Sequence, residues 1–254
     1  MNSLGVLIGT DHTQEWLLAW WWENYKRHNT YPVACANFGM TQDAISWCQQ
    51  QNIEVIPVDV FVQCTQPAYT RVWENLGGKV IWQSRKNWFK KPWAMTKTPF
   101  DKTVWIDLDC EILDTIEPLF SHCNKETVGL SPEHSSYQER VYRSSLSYPG
   151  EIIYNSGVMA FTRAQPLIET WARASVHHAD RFLGDQDILS RLIFQMNHPV
   201  SEIDPIYNWH MSQGMNLDAR IIHWVCASGK DFIRTYGGIS KELLGFRSWL
   251  SGPN

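Results

Sequence analysis

One stretch of the sequence, Thr103-Val-Trp-Ile-Asp-Leu-Asp109, indicates both the fold and the site. Its first half is a short apolar run, which is typical of a strand buried on both faces. Its second half places two carboxylates where that buried strand reaches solvent. Because residues i and i+2 of an extended chain point to the same side, we expect the side chains of Asp107 and Asp109 to lie close together.

Two neighbouring carboxylates at a strand end have two interpretations. Their like charges repel and burial adds a desolvation cost, and a bound divalent cation removes both penalties. Oxygen ligands favour Mg²⁺ or Mn²⁺. The alternative is structural, a helix N-cap or a solvated strand end, and the pattern is short enough that Asp185-Gln-Asp187 repeats it. Spacing alone leaves both interpretations open.

The N-terminal part of the chain alternates between strand and helix patterns. The expected elements are a strand at Leu4–Gly9, a helix from its N-cap Thr13 to about His28, a strand at Tyr31–Phe38, a helix at Thr41–Gln51 and a strand at Ile53–Val58. This order predicts a parallel sheet with helices on its faces. Ligands of such sheets bind beyond the carboxyl ends of the strands, where Thr10 and Asp11 lie.

The rest of the chain continues the α/β pattern less regularly. Helical spacing is found at Pro67–Leu76, Trp88–Thr98, Gln165–Asp180, Gly184–Gln195 and Lys241–Leu250, and strand-like runs are found at Ile152–Tyr154, Val158–Phe161 and Arg220–Trp224. The polar stretch Ser131–Pro149 predicts a functional loop or a partly helical segment. Because neither a repeat nor a linker interrupts the pattern, we expect one α/β domain over residues 1–254, with a mostly parallel central sheet flanked by helices.

Composition excludes several classes of function. The chain has 254 residues with 22 Lys and Arg against 26 Asp and Glu, a net charge of −4. Because general nucleic-acid binding needs clustered positive charge, no nucleic-acid partner is expected. No apolar run approaches the roughly 20 residues of a membrane span. The start, Met1-Asn-Ser3, is unlike a signal peptide, which favours a cytoplasmic protein and leaves peripheral membrane association and the oligomeric state open.

Five segments together resemble glycosyltransferase family 8, whose members have the GT-A fold. That family includes glycogenin and the bacterial lipopolysaccharide galactosyl- and glucosyltransferases. The segments follow the family order and are spread over most of the chain. They are Asp101-Lys-Thr-Val-Trp-Ile-Asp-Leu-Asp109, Tyr154-Asn-Ser-Gly-Val-Met159, Gly184-Asp-Gln-Asp-Ile-Leu189, Pro205-Ile-Tyr-Asn-Trp209, and Ile221-Ile-His-Trp224 followed by Lys230.

The resemblance implies a metal-dependent retaining glycosyltransferase. Its donor would be a nucleotide-sugar, usually a UDP-sugar, and its acceptor a hydroxyl of a carbohydrate or another molecule. Mn²⁺ or Mg²⁺ is the implied cofactor, with Asp107, Asp109 and His223 as its ligands. The resemblance also implies donor contacts from Thr10 and Asp11 at the uridine, Asp107 near the ribose, Lys90 or Lys91 at the nucleotide or sugar, Lys230 at the diphosphate, Asn155 and Asp185 at the sugar hydroxyls, and Gln186 near the reacting face of the sugar.

The segment after the implied histidine ligand departs from the family pattern. The family has H-x-x-G-x-x-K-P-W, whereas this chain has His223-Trp-Val-Cys-Ala-Ser-Gly-Lys-Asp-Phe232. The glycine is therefore displaced and the Pro-Trp pair is missing. This departure concerns the role of Lys230 more than that of His223, and the donor sugar is not carried over from the family.

Gln186 and Asp185 are the candidate catalytic residues. Because the amide of Gln186 is a weak nucleophile, we expect the acceptor to attack from the face that the leaving group departs from. Acceptor contacts are expected from Glu133-His-Ser-Ser-Tyr137, for which a mobile surface loop is the alternative.

Two other functions stay open. One is a catalytically silent module that binds a nucleotide or a sugar. The other is a nucleotidyltransferase, although Gly9-Thr-Asp-His12 lacks the Gly-rich basic loop typical of that class.

Overall fold

A computed structural model describes residues 3–64, 71–78 and 81–239 of the chain. Its strands are β1 Leu4–Thr10, β2 Val33–Asn37, β3 Glu54–Pro57, β4 Lys102–Ile106, β5 Cys110–Ile112, β6 Val128–Pro132, β7 Tyr154–Thr162, β8 Val200–Glu202, β9 Trp209–His210 and β10 Ile221–His223. Its helices are α1 Leu17–Tyr25, α2 Gln42–Gln50, α3 Arg71–Gly77, α4 Ile81–Trp88, α5 Lys91–Met95, α6 Ser135–Arg143, α7 Pro166–His178, α8 Asp185–Met196 and α9 Cys226–Tyr236.

The central sheet contains seven strands in the order β3-β2-β1-β4-β7-β6-β8. Neighbouring strands are parallel except where β7 pairs antiparallel with β4 and with β6. Helices flank the sheet, and the predicted α/β class with a mostly parallel central sheet is confirmed. The first three strands and the two helices between them follow the order predicted from the N-terminal sequence.

Burial on both faces explains why the central strands are continuously apolar. Val104 and Ile106 of β4 pack in a core on one side of the sheet together with Val6 and Ile8 of β1. Trp105 of β4 packs in the core on the opposite side. A strand covered on both faces has no polar position to alternate with, so its carboxyl end is the first point at which it reaches solvent.

A second sheet of three strands joins distant parts of the chain at that end. Its order is β5-β10-β9, and β10 pairs antiparallel with β5 so that His223 lies opposite Cys110. Cys110 directly follows Asp109. The small sheet therefore brings His223 to the acidic pair, more than a hundred residues away in sequence.

The first helix begins later than its sequence pattern predicts. Helix α1 starts at Leu17 after the N-cap Trp16, so the expected N-cap at Thr13 is wrong. The Asp11 carboxylate instead accepts hydrogen bonds from the backbone N–H groups of Thr13 and Gln14 and caps the preceding turn. An aspartate competes well for such N–H groups, and it moves the helix start downstream.

The strand-like runs at Ile152–Tyr154 and Val158–Phe161 flank Asn155-Ser-Gly157, and the structure has one continuous strand there, β7, from Tyr154 to Thr162. The polar stretch after β6 is partly helical, as one of the two predictions had it, because it contains α6. The helix expected at Trp88–Thr98 is confined to α5, which has Pro92 in its first turn, where the missing N–H is tolerated.

The C-terminal helix expected at Lys241–Leu250 lies outside the described residues, as does the beginning of the helix expected at Pro67–Leu76. Helix α9 was not anticipated from the sequence. Across the three described ranges, every helix is too short or too polar to cross a bilayer.

Candidate active site

A cleft of about 1060 Å³ opens at the carboxyl ends of β1 and β4. Its walls also include the amino end of β7, the first turn of α8, and the segment that joins β10 to α9. Sheets of this kind bind ligands at this edge. Of the residues proposed from the sequence, the cleft is lined by Thr10, Asp11, Lys91, Asp107, Asp109, Asn155, Asp185, Gln186, His223 and Lys230.

Asp107 and Asp109 lie on a tight turn between β4 and β5. The Cys110 N–H donates to the Asp107 carbonyl over 3.1 Å, so the expected extended geometry of the pair is wrong. The turn still directs both carboxylates toward one point. The His223 Nε2 atom is 3.3 Å from Asp109 Oδ1 and 4.0 Å from Asp107 Oδ2.

A glycine allows the ring of His223 to lie against strand β7. A Cβ atom at Gly157 would lie 2.2 Å from His223 Cε1, closer than any real contact. The Gly157 carbonyl also accepts the Asp107 N–H over 2.8 Å. The same residue therefore holds the acidic turn and leaves room for the imidazole.

Lys91 and Lys90 have different surroundings. The buried Lys91 Nζ is 2.9 Å from Asp107 Oδ1, within 3.3 Å of the Ser156 carbonyl and hydroxyl, and 3.8 Å from Asp185 Oδ2. Burial works to lower the pKa of Lys91, but the two aspartates outweigh it and raise that pKa above its ordinary value. The Lys90 ammonium donates to the Phe38 carbonyl, and Lys90 is not among the described residues that line the cleft. Of the two alternatives, the structure thus places Lys91 at the site.

Lys230 projects from the first turns of α9 onto the acidic pair. Its Nζ is 2.5 Å from Asp109 Oδ2. Burial works to raise the pKa of Asp109, but Lys230 and then His223 outweigh it and hold that pKa well below its usual range. Asp107 and Asp109 are each paired with a lysine on one side and face His223 on the other.

The beginning of α8 presents Asp185 and Gln186 to the cleft. The Asp185 Oδ2 atom accepts the Ser156 hydroxyl over 3.0 Å. The N-cap of α8 is Gly184, so Asp185 is the first residue of the helix and not its cap. Asp187 performs the capping instead, because its carboxylate accepts the Gly184 N–H over 2.7 Å. Burial raises the pKa of Asp187 to about 7.

Thr10 and Asp11 stand at the far end of the cleft, after β1. The Asp11 carboxylate is held by the turn that it caps and by the side-chain amide of Asn87 from α4. The Thr10 hydroxyl donates to the Asp11 carbonyl over 3.2 Å. These bonds fix the position of the Asp11 carboxylate on the cleft wall.

Glu133, one residue beyond β6, is a site residue that the sequence placed only within a possible acceptor loop. It is buried, and its Oε1 atom accepts hydrogen bonds from Asn155 Nδ2 over 2.8 Å and from Gln186 Nε2 over 3.0 Å. Its Oε2 atom is 3.7 Å from His210 Nδ1. The sequence signal that could have identified Glu133 is its position as an acidic residue directly after β6, the strand that pairs with β7.

His210 and Asn208 also reach this part of the site, and sequence reasoning gave neither a role. The ring of His210 meets that of His223 edge-on, with 5.2 Å between centroids. Burial lowers the pKa of His210 to about 4, so its ring is neutral near neutral pH. Asn208 contacts both Asn155 and His223.

The donor atoms at the acidic turn suit a hard divalent cation. Asp109, Cys110 and His223 offer ligand atoms within 4.8 Å of one another, and Asp107 adds a carboxylate beside His223. Burial raises the pKa of the Cys110 thiol well above its ordinary value, so this sulfur stays protonated. The remaining carboxylate and imidazole donors fit Mn²⁺, and the carboxylates also fit Mg²⁺.

The strand order, the acidic turn and the cleft beside it define the class of fold to which the chain belongs. It has the GT-A fold, as the sequence resemblance implied. At the level of sequence, neither a family model nor a curated protein matches the chain.

The chain is similar in structure to several solved glycosyltransferases. The galactosyltransferase LgtC, solved with donor and acceptor sugar analogs, matches with a TM-score of 0.61 and 13% identity over 92% of this chain and 95% of LgtC. The glycosyltransferase GlyE of Streptococcus pneumoniae TIGR4 matches with a TM-score of 0.60 and 14% identity, over 99% of this chain and 64% of GlyE. The bifunctional WbbM matches with a TM-score of 0.55 and 12% identity, over 96% of this chain and 51% of WbbM.

Proposed function

We propose that this chain is a glycosyltransferase that moves a sugar from a nucleotide-sugar, in the first instance a UDP-sugar, to a hydroxyl acceptor with retention at the anomeric carbon. The observation that carries the proposal is the position of His223 Nε2 beside both Asp109 and Asp107 in the cleft. The glycosyltransferases that share the fold support the same reaction class.

Asp107, Asp109 and His223 would hold Mn²⁺ or Mg²⁺ in this proposal. When bound, the ion would offset the negative charge that develops on the leaving diphosphate. Lys230 would add a cation next to the same phosphates, because it reaches the acidic turn from the N-terminal end of α9. Lys91 would hold the Asp107 carboxylate in place through its ion pair.

The surroundings of the sugar site favour front-face attack. The Gln186 amide is bound to Glu133, and the Asp185 carboxylate is bound to Ser156. In the proposed step the bond from the anomeric carbon to the phosphate oxygen breaks, and its electron pair leaves with the diphosphate. The acceptor oxygen then bonds to the same face of that carbon, and its proton passes to the departing phosphate oxygen. A sugar trapped covalently on Asp185, Asp187 or Glu133 would overturn this step.

The lysine pairs support one alternative, a silent nucleotide-binding or sugar-binding module. Because Lys91 and Lys230 already neutralise the aspartates, the acidic turn is stable without an ion. The nucleotidyltransferase alternative finds less support, since β1 leads into a turn capped by Asp11 and not into a loop of basic residues.

Release of nucleoside diphosphate separates these functions. We would incubate the protein with a panel of UDP- and GDP-sugars, with Mn²⁺ or with a chelator, and repeat the assay with Asp109→Asn and with the exposed control Asp218→Asn. We expect metal-dependent release by the wild type and by Asp218→Asn, and a loss of at least about a hundredfold in Asp109→Asn. Nucleotide binding without release from any donor would favour the silent module, and equal release by Asp109→Asn would contradict the site.

A further inference from the structure

A continuous set of hydrogen bonds joins His223 to Gln186 along one wall of the cleft. His223 Nδ1 lies 2.9 Å from Asn208 Oδ1, and Asn208 Nδ2 donates to Asn155 Oδ1 over 2.9 Å. Asn155 Nδ2 donates to the Glu133 carboxylate, which also accepts the Gln186 amide. Asn208, Asn155 and Glu133 are all buried. The set thus links the residue proposed at the metal to the residue proposed at the sugar.

The direction of each hydrogen bond follows from a single backbone group. Asn155 Oδ1 accepts the Gly157 N–H over 2.7 Å, and a backbone N–H can only donate. The oxygen of the Asn155 amide is thereby identified, so the group that Asn208 directs at it must be the Asn208 nitrogen. Asn208 then has its oxygen toward His223, and an amide oxygen can only accept. His223 Nδ1 must therefore carry a hydrogen.

A hydrogen on Nδ1 determines whether Nε2, the other ring nitrogen of His223, can bind a metal ion. A neutral imidazole has one N–H and one bare nitrogen, so a hydrogen on Nδ1 leaves a lone pair on Nε2. That lone pair faces Asp109 Oδ1 at 3.3 Å and Asp107 Oδ2 at 4.0 Å. In the neutral ring, which metal binding requires, three groups with lone pairs converge where a cation can bind between them, whereas a protonated ring donates its Nε2–H to Asp109 instead.

We propose that Asn208 is a positioning residue that fixes the tautomer of His223, so that Nε2 is the metal-binding nitrogen. Asn208 lies just beyond the described helical turn at Pro205–Tyr207, on the approach to β9, and does not line the cleft among the described residues. It acts only through its amide, which is satisfied on both sides. This inference rests on the proposed function for the identity of the ligand, but the tautomer itself is a property of the metal-free protein.

Two variants of Asn208 separate tautomer control from packing. Asn208→Leu has the same number and branching of side-chain heavy atoms and cannot accept the hydrogen on Nδ1. Asn208→Asp still accepts it, but it loses the bond to Asn155. The matched control is Asn24→Leu, because Asn24 is equally buried on α1 and bonds to the Trp20 carbonyl, away from the site.

The tautomer is read directly from ¹⁵N-histidine NMR spectra of the metal-free protein at mildly alkaline pH, with His223→Gln used for the assignment. Mn²⁺ affinity is measured separately by electron paramagnetic resonance. We expect the Nδ1–H form in the wild type, Asn24→Leu and Asn208→Asp. Asn208→Leu should lose that preference and bind Mn²⁺ at least about tenfold more weakly, as for other residues that orient a metal ligand.

Each outcome decides the proposal. A wild type with the Nε2–H form overturns it even if Asn208→Leu does not fold, and so does a folded Asn208→Leu with unchanged tautomer and Mn²⁺ affinity. A wild type that has the Nδ1–H form but binds no Mn²⁺ supports the role of Asn208 and contradicts the proposed metal-dependent function. The two failures are therefore distinguishable.

Discussion

Gly157 determines how closely β7 approaches the imidazole of His223. Its neighbours leave no room for a side chain, since a Cβ atom would overlap both His223 Cε1 and Nδ1. The position nevertheless lies in the interior of a strand, where glycine usually weakens the structure. Close packing against His223 is the physical reason for a glycine here.

Replacing this glycine should disturb the site. In Gly157→Ala we expect a displaced His223, a Mn²⁺ affinity at least about tenfold weaker, and a free energy of unfolding lower by about 1–3 kcal/mol. Metal titration and urea unfolding measure both effects. Gly184→Ala is the control, because a Cβ there meets its nearest atom only at 3.5 Å. Equal Mn²⁺ affinity in the two variants would contradict the packing argument.

Asp187 predicts a pH dependence of stability whose sign follows from its burial. Its folded-state pKa is raised to about 7, above the ordinary carboxyl value of about 3.9. The unfolded chain therefore releases this proton first, and the group's contribution to stability, full at acidic pH, is lost as the pH rises through about 7.

Unfolding of Asp187→Asn at two pH values tests this sign. The variant amide keeps an acceptor for the Gly184 N–H but does not ionise. The free energy of unfolding of Asp187→Asn, measured relative to that of the wild type, should therefore be higher at about pH 8 than at about pH 5. Urea unfolding of both proteins at both pH values gives the difference. The same relative stability at the two pH values would show that the carboxyl is not perturbed.

The sequence located most single residues of the candidate site but not their connections. Asp107, Asp109 and His223 were chosen from motifs, and the small sheet brings them together. Glu133 was expected only as part of an acceptor segment and Asn208 was given no role, because each acts on another side chain that is distant in sequence. A pattern read along one chain does not report such contacts, whereas it does report an acidic residue at the end of an apolar strand.

At the scale of elements, the sequence failed where a site requirement overrides a local preference. The Asn155-Ser-Gly157 triplet separates two strand-like runs in the sequence, yet it lies within β7, where Gly157 packs on His223 and Asn155 holds two other side chains. The buried strands β1 and β4 were predicted well, since continuous apolar runs require burial on both faces.

The start of α9 is a second such element. Cys226 begins the helix with a φ of +69°, the left-handed region that favours glycine. It is the third residue after His223, where the family pattern has its glycine. The left-handed backbone at Cys226 therefore falls at the position where the family pattern has glycine.

Restoring glycine at this position should stabilise α9. The free energy of unfolding of Cys226→Gly should be about 1 kcal/mol higher than that of Cys226→Ala, because alanine retains the Cβ that disfavours this φ. Both variants lack the thiol, so their difference isolates the backbone term. Urea unfolding provides the measurement. An alanine variant as stable as the glycine variant would mean that this φ carries no strain.

At the scale of the whole molecule, the central sheet connects the two halves of the cleft. Strands β1 and β4 stand side by side near its middle, and the cores on its two faces both depend on them. We propose on this basis that residues 1–254 form one folding unit. Tryptophan fluorescence and far-ultraviolet circular dichroism should then report the same urea midpoint, and two separated transitions would contradict a single domain.

The most direct test of the central claim is the anomalous X-ray scattering of manganese in crystals grown with Mn²⁺ and UDP. We expect one strong anomalous peak within about 2.5 Å of Asp109 and of His223 Nε2, with Asp107 beside it and Lys230 moved from Asp109 toward the diphosphate. A nucleotide bound in the cleft with no peak there, while both lysine–aspartate pairs remain intact, would contradict the claim.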